Sequence, residues 1–107
     1  MTRPRVEILY FDGCPNHKPA HELVEQVAAE LGLQPVIELV EIADGETATR
    51  LRFLGSPSVR VDGRDVEPGA DERSDLVLSC RVYRSERGLV GQPKAVWIRH
   101  ALSAATA

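Results

Sequence analysis

The sequence predicts an α/β protein in which a four-stranded mixed sheet is flanked by helices, with an insertion before the last helix. Three observations carry that expectation. The apolar run Val6-Glu7-Ile8-Leu9-Tyr10-Phe11 is followed by an amphipathic helical pattern and then by a second, β-branched run, an alternation of strand and helix. Asp62-Gly63, between two short segments, is a strong two-residue hairpin signal and adds an antiparallel pair. A last helical pattern closes the chain.

The chain has 107 residues and a hydrophobic fraction of 43%, which suits one domain, residues 1–107, around a single modest core. After the first strand, Ala20, Leu23, Val24, Val27, Ala28 and Leu31 recur at helical spacing. Glu22, Glu25, Gln26 and Glu30 take the other positions, so one stripe is buried. Asn16 is a good N-cap residue, Pro19 falls in the first turn where its missing N–H costs nothing, and Gly32 stops the helix. The run Val36-Ile37-Glu38-Leu39-Val40-Glu41-Ile42 is nearly continuous in apolar character and reads as a central strand buried on both faces. Asp44 caps a shorter helix over Glu46 to Phe53, with Ala48, Leu51 and Leu54 inward and Gly55 ending it. Ser58-Val59-Arg60-Val61 alternates, and Arg64-Asp65-Val66 returns antiparallel to it. Residues 67–91 then form the insertion, and a helix from Gln92 or Pro93 through Leu102 offers Val96, Trp97, Ala101 and Leu102 to the core.

A formal charge of −3 with scattered basic residues points to neither nucleic acid nor an anionic membrane as partner. The N-terminal segment is too short and too charged for a signal sequence or a membrane span, so the cytoplasm is the expected location. Two cysteines in such a chain are more often free or redox-cycling than a permanent staple.

The first of them sits in Gly13-Cys14-Pro15-Asn16-His17, where a strand hands over to a helix. Backbone N–H groups at a helix start lack intrahelical partners and, with the macrodipole, favour negative charge. That setting suits Cys14 as a thiolate, the nucleophilic form. The second feature is Gly55-Ser56-Pro57 at the mouth of a strand, where a proline is tolerated. The element order is that of a thioredoxin-like fold, in which a cysteine after the first strand faces a cis-proline. By that analogy Ser56–Pro57 is expected to be cis, and Pro15, Ser56 and Pro57 are the expected substrate-facing residues.

His17 stands where a second nearby cysteine would allow a local disulfide, so Cys14 needs another thiol to finish a redox cycle. Cys80 is the candidate. If Arg64 to Val66 closes the sheet, the insertion lies over the Cys14 edge, and the alternation of Leu76, Leu78, Cys80 and Val82 with Ser79, Arg81 and Tyr83 turns Cys80 inward. If Val77 to Tyr83 is instead the fourth strand, Cys80 lies away from Cys14, and it is then a small buried hydrophobe. Arg81 or Arg84 over the site would stabilise a thiolate; the plainer expectation is exposed arginine. Cys14, His17 and His21 have spacings seen in metal triplets, a weak signal without a second shell, and neither a resident metal nor a cofactor is expected.

The segments Leu9 to Asn16, Phe53 to Asp65, and Leu78 to Arg84 with Gly88-Leu89 resemble a small bacterial thioredoxin-like family, the DF-family (seleno)proteins, whose relatives are sometimes labelled thioredoxin family protein or alkylmercury lyase. The resemblance covers nearly the whole chain. In that family the position matching Cys14 can be selenocysteine, which implies a redox role for Cys14. The expected function is thus a thiol redox protein in which Cys14 attacks a disulfide, peroxide or other electrophile. Cys80 resolves it, His17 assists, and a cellular thiol reductant resets the pair. The alternatives are a non-catalytic binder of a thiophilic metal and a protein-interaction module built on the insertion.

Overall fold

The structure is a computed structural model that describes residues 3–73 and 81–105. Four strands form one mixed sheet: β1 (Arg5–Tyr10), β2 (Val36–Glu41), β3 (Ser58–Val61) and β4 (Arg64–Asp65), in the order β2-β1-β3-β4. β1 pairs in parallel with β2, while β3 is antiparallel to both β1 and β4. Asp62 and Gly63 both take positive φ, 51° and 86°, the two left-handed residues that a tight hairpin turn requires. The Asp62 carboxylate also accepts the Arg5 N–H at 3.0 Å, fastening the turn to the start of β1.

The interior strands are β1 and β3, contrary to the expectation for the Val36 to Ile42 run. β2 is an edge strand, and its Val36 and Leu39 are each 46% exposed. The reason is topological. β1 has the hairpin on one side and β2 on the other, so β2 has no partner beyond it among the described residues. β-branched residues report a preference for extended backbone, which an edge strand satisfies as well as a central one.

Side-chain alternation on β1 divides the core. Val6 and Ile8 join Val59 and Val61 on one face, under helices α1 (His17–Glu30) and α3 (Ala95–Ala105). Leu9 points the other way, onto Ile42, Ala48 and Phe53 beneath the short helix α2 (Gly45–Arg50). α1 buries Ala20, Val24, Val27 and Ala28, the stripe its periodicity predicts, and Gly32 at φ 69° follows its last turn. Asn16 occupies the N-cap position, but its side chain makes no cap hydrogen bond; its Oδ1 accepts from Gln92 Nε2 at 3.3 Å. On α3 the phase differs by two residues from expectation at one position. Ile98 and Leu102, one turn apart, are fully buried, whereas Val96 is 47% exposed.

α2 begins where Asp44 predicts, its Oδ1 accepting the Thr47 N–H at 2.7 Å, but it ends sooner than Phe53. Arg52 takes φ 55°, and the Phe53 N–H returns to the Ala48 carbonyl at 2.8 Å, which turns the Phe53 ring into the core. Arg60 of β3 donates from Nη2 to the carbonyls of Leu51 and Arg52 at 2.7 and 3.0 Å. The left-handed Arg52 therefore ends the helix in place of Gly55, and the guanidinium of Arg60 takes the two carbonyls that follow it.

Within residues 67–91 the described parts are a 3₁₀ turn at Ala70–Glu72 and a hairpin of β5 (Tyr83–Ser85) and β6 (Gly88–Val90). The return strand of the sheet is β4, so Tyr83 belongs to a separate two-stranded ribbon and not to the main sheet. Among the described residues no helix is long and apolar enough to cross a membrane.

Candidate functional site

The carboxyl end of β1 leads through Phe11, Asp12 and Gly13 to Cys14. Gly13 takes φ 93°, a conformation that costs glycine nothing, and the Cys14 N–H closes the turn on the Phe11 carbonyl at 3.2 Å. Cys14 is 2% exposed, and its Sγ lies 3.7 Å from the Ser56 carbonyl oxygen, to which the thiol donates. The thiolate has no hydrogen to give, so that contact belongs to the protonated form. The Ser56–Pro57 peptide bond is cis, as the fold analogy led one to expect.

His17, the first residue of α1, folds back onto the same turn. Its Nδ1 lies 2.8 Å from the Cys14 carbonyl oxygen. A carbonyl only accepts, so Nδ1 carries the hydrogen and Nε2 is left as the free nitrogen of the neutral ring. The ring stacks on Tyr10, with centroids 4.4 Å apart and planes within 18°. His17 is therefore held at two points beside the backbone of Cys14. His21 is engaged along the helix, with Nε2 3.6 Å from Glu25 Oε1. Among the described residues no group of three His, Cys, Asp or Glu side chains could hold a metal ion, so the Cys14, His17, His21 spacing does not become a site.

Behind Cys14, the Gly55 to Ser58 segment is fastened by residues within the insertion. The Arg81 N–H donates to the Ser56 carbonyl at 2.8 Å, so that oxygen accepts from both Cys14 and Arg81. Tyr83 is fully buried and its hydroxyl donates to the Pro57 carbonyl at 2.5 Å. Ser58 Oγ donates to the Gly55 carbonyl at 2.6 Å and accepts from Arg81 Nη1 at 2.9 Å. The same guanidinium grips Asp65 and reaches Glu67 Oε1 at 2.6 Å, with the Tyr83 ring 4.5 Å from its carbon.

Arg81 is 3% exposed, which corrects the expectation of an exposed arginine. Burial disfavours its charge, but the hydrogen bond to Asp65, the Asp65 charge and the hydrogen bond to Glu67 help outweigh that, and its pKa moves upward. Tyr83 is pushed above the ordinary tyrosine range by burial, against the opposing pull of the Arg81 cation. The alternation predicted here is also reversed, for Val82 is 59% exposed while Arg81 and Tyr83 point inward. Tyr83 is the larger apolar body, and both inward groups find polar partners. Cys80 itself lies outside the described residues.

Tyr83, Asp65 and Glu67 are thus site-supporting residues that the sequence did not single out, and Arg81, weighed there as a partner of the thiolate, instead holds the segment behind it. Asp65 and Glu67, two apart after a hairpin turn, were the available signal: two acids on a short strand end call for a cation. Pro15 follows Cys14 directly, exposed and two residues before α1 begins. Neither a scan against protein-family models nor a search of curated proteins returns a match for this chain.

Proposed function

We propose that this is a thioredoxin-like thiol redox protein, a DF-family relative of the bacterial cytoplasm, in which Cys14 is the nucleophile and Cys80 the resolving cysteine. One observation carries the reading: the Cys14 thiol follows the interior strand β1 and donates to the carbonyl of the residue before the cis-proline Pro57. A redox-active thiol of that fold faces the same kind of turn.

With a disulfide substrate, Cys14 as thiolate attacks one sulfur, forming a mixed disulfide while the other sulfur leaves as a thiolate. Cys80 then attacks Cys14 Sγ, the second substrate thiol departs, and the protein is oxidised by two electrons as the substrate is reduced. A cellular thiol reductant restores the pair. With a peroxide, the Cys14 thiolate attacks one oxygen, the O–O bond breaks as an alcohol or water leaves, and Cys80 then attacks the sulfenic acid on Cys14 to form the disulfide with loss of a water. Support for Cys80 comes from its neighbour in the chain, since the Arg81 N–H shares the Ser56 carbonyl with the Cys14 thiol. His17 offers Nε2 for moving a proton and the exposed Pro15 faces the substrate, whereas Ser56 and Pro57, fully buried, back the Cys14 turn instead of meeting substrate with their side chains.

The test is a mass spectrum of protein treated with mild peroxide. An intramolecular Cys14–Cys80 bond that reductant removes is expected, and Cys14→Ser should abolish both the bond and reductant-dependent turnover. Two free thiols after treatment would sink the resolving role.

A further inference from the structure

We propose that the cavity between the end of α2 and the β3–β4 hairpin binds a phosphate group, free or as a small monoester. The cavity measures about 250 Å³, and Arg52, Arg60 and Arg73 line it together with Leu51, Leu54 and Asp65. Among the described residues, none of the Cys14 turn and none of the Gly55 to Ser58 segment lines it, so this site is separate from the thiol chemistry.

Three arginines around one small hollow call for negative charge, and the carboxylates in reach are already engaged. Arg81 donates to both Asp65 oxygens, and the Glu67 N–H adds a third bond at 2.9 Å. Glu67 Oε1 lies 2.6 Å from Arg81 and 3.4 Å from Arg73. Glu7, in register with Arg60 on β1, pairs with Arg5 at 3.8 Å, and the Asp62 carboxylate accepts the Arg5 N–H. Arg52 and Arg60 are left with backbone carbonyls as their partners among the described residues. Arg52 Nη2 donates to the Arg73 carbonyl at 3.3 Å, and Arg60 Nη2 donates to those of Leu51 and Arg52 at 2.7 and 3.0 Å.

Those bonds anchor the two guanidinium groups and leave donors over. A guanidinium carries five N–H groups, and on both arginines the Nη1 and Nε hydrogens have no protein partner among the described residues. Arg60 is half-buried and held by two carbonyls, so its plane is set before a ligand arrives and less ordering is needed on binding. Planar forks of this kind match phosphate oxygens two at a time. A phosphate monoester carries about −1.5 to −2 charges at neutral pH, which answers two cations that no carboxylate neutralises. The hollow is smaller than the roughly 300–1,000 Å³ of a drug-sized site, which limits the ligand to an ion or a short monoester, with Leu51 and Leu54 as the apolar wall for the ester carbon.

Inorganic phosphate and methyl phosphate are the probes, each titrated into the full chain at neutral pH with chloride keeping the ionic strength constant. At least one should move the Leu54 and Gly63 amide resonances saturably, with a Kd on the order of 1 mM or tighter, and raise the melting temperature. The tighter probe identifies the free ion or the monoester as the source. Arg52→Gln, at an exposed position, should weaken binding roughly tenfold, the scale of one hydrogen bond to a charged group. Arg50→Gln makes the same charge change on an exposed arginine of α2 outside the cavity and should leave the Kd unchanged. Arg60→Lys keeps the charge without the fork and should also weaken binding. Absence of a saturable response to either probe would overturn the inference. So would equal weakening by Arg50→Gln and Arg52→Gln, which would reduce the attraction to general surface charge.

Discussion

Arg81 and Asp65 form a two-point ion pair inside the protein, with Nη1 2.7 Å from Oδ2, Nη2 3.2 Å from Oδ1, and side chains only 1% and 7% exposed. The pair joins the end of the insertion to the return strand of the sheet, and the Arg81 N–H carries the link on to Ser56 beside Cys14. Removing one partner of a buried pair leaves the other charge without compensation, which costs about 3–5 kcal/mol. Asp65→Ala should therefore lower the unfolding free energy by that order in a urea titration, Glu67 reducing the loss toward the lower end. A change below about 1 kcal/mol, the range of an exposed pair, would show that the guanidinium is solvated.

Tyr83 gives the alkaline limb of stability its sign. Burial raises its folded-state pKa above the ordinary value of about 10, so the native state keeps a proton that the unfolded chain releases. The contribution is full below about pH 10 and is lost as the pH climbs beyond it toward the folded value. At about pH 11 the native protein should show less tyrosinate absorbance than the urea-unfolded chain, and Tyr83→Phe should flatten the alkaline fall in stability. A native spectrum that already equals the unfolded one at that pH would mean hydroxide reaches the ring.

Gly91 presses on the start of α1. A Cβ built there would come within 2.5 Å of Asn16 Cγ and Nδ2, so an alanine must drive the asparagine aside and break its bond to Gln92. Gly91→Ala should cost about 1 kcal/mol, the worth of such a hydrogen bond. In an Asn16→Ala background the same change should cost almost nothing. A double-mutant cycle measures the coupling, and additive losses would mean that Gly91 is required for its backbone alone.

Asp44 is the cap of α2, and its bond from the Thr47 backbone N–H holds the carboxyl below the usual carboxylate range. A depressed folded-state value means that the contribution is present above the unfolded value of about 3.9 and lost as the pH falls through the folded one. Asp44→Ala should lower the melting temperature at neutral pH, and the gap to wild type should narrow only below about pH 4. A gap independent of pH would assign the effect to helix propensity instead of the cap.

The features legible in the sequence are local. The α1 stripe, the Asp44 cap, the Asp62-Gly63 turn and a cysteine at the strand-to-helix junction are each written in neighbouring residues, because period, cap and turn chemistry act over a few positions. Tertiary structure alone decided which strands are interior and what meets the chain beyond α2, since β2 owes its edge position to the hairpin pairing with β1, and the Leu51 and Arg52 carbonyls are met by Arg60 of β3. The supports of the site fall in the same class. Alternation placed Arg81 and Tyr83 outward, yet each lies inward, where Asp65, Glu67 and the Pro57 carbonyl wait for them. A buried charge or hydroxyl is acceptable only where partners far along the chain converge on it, and that convergence is a property of the folded chain, invisible to any window of adjacent residues.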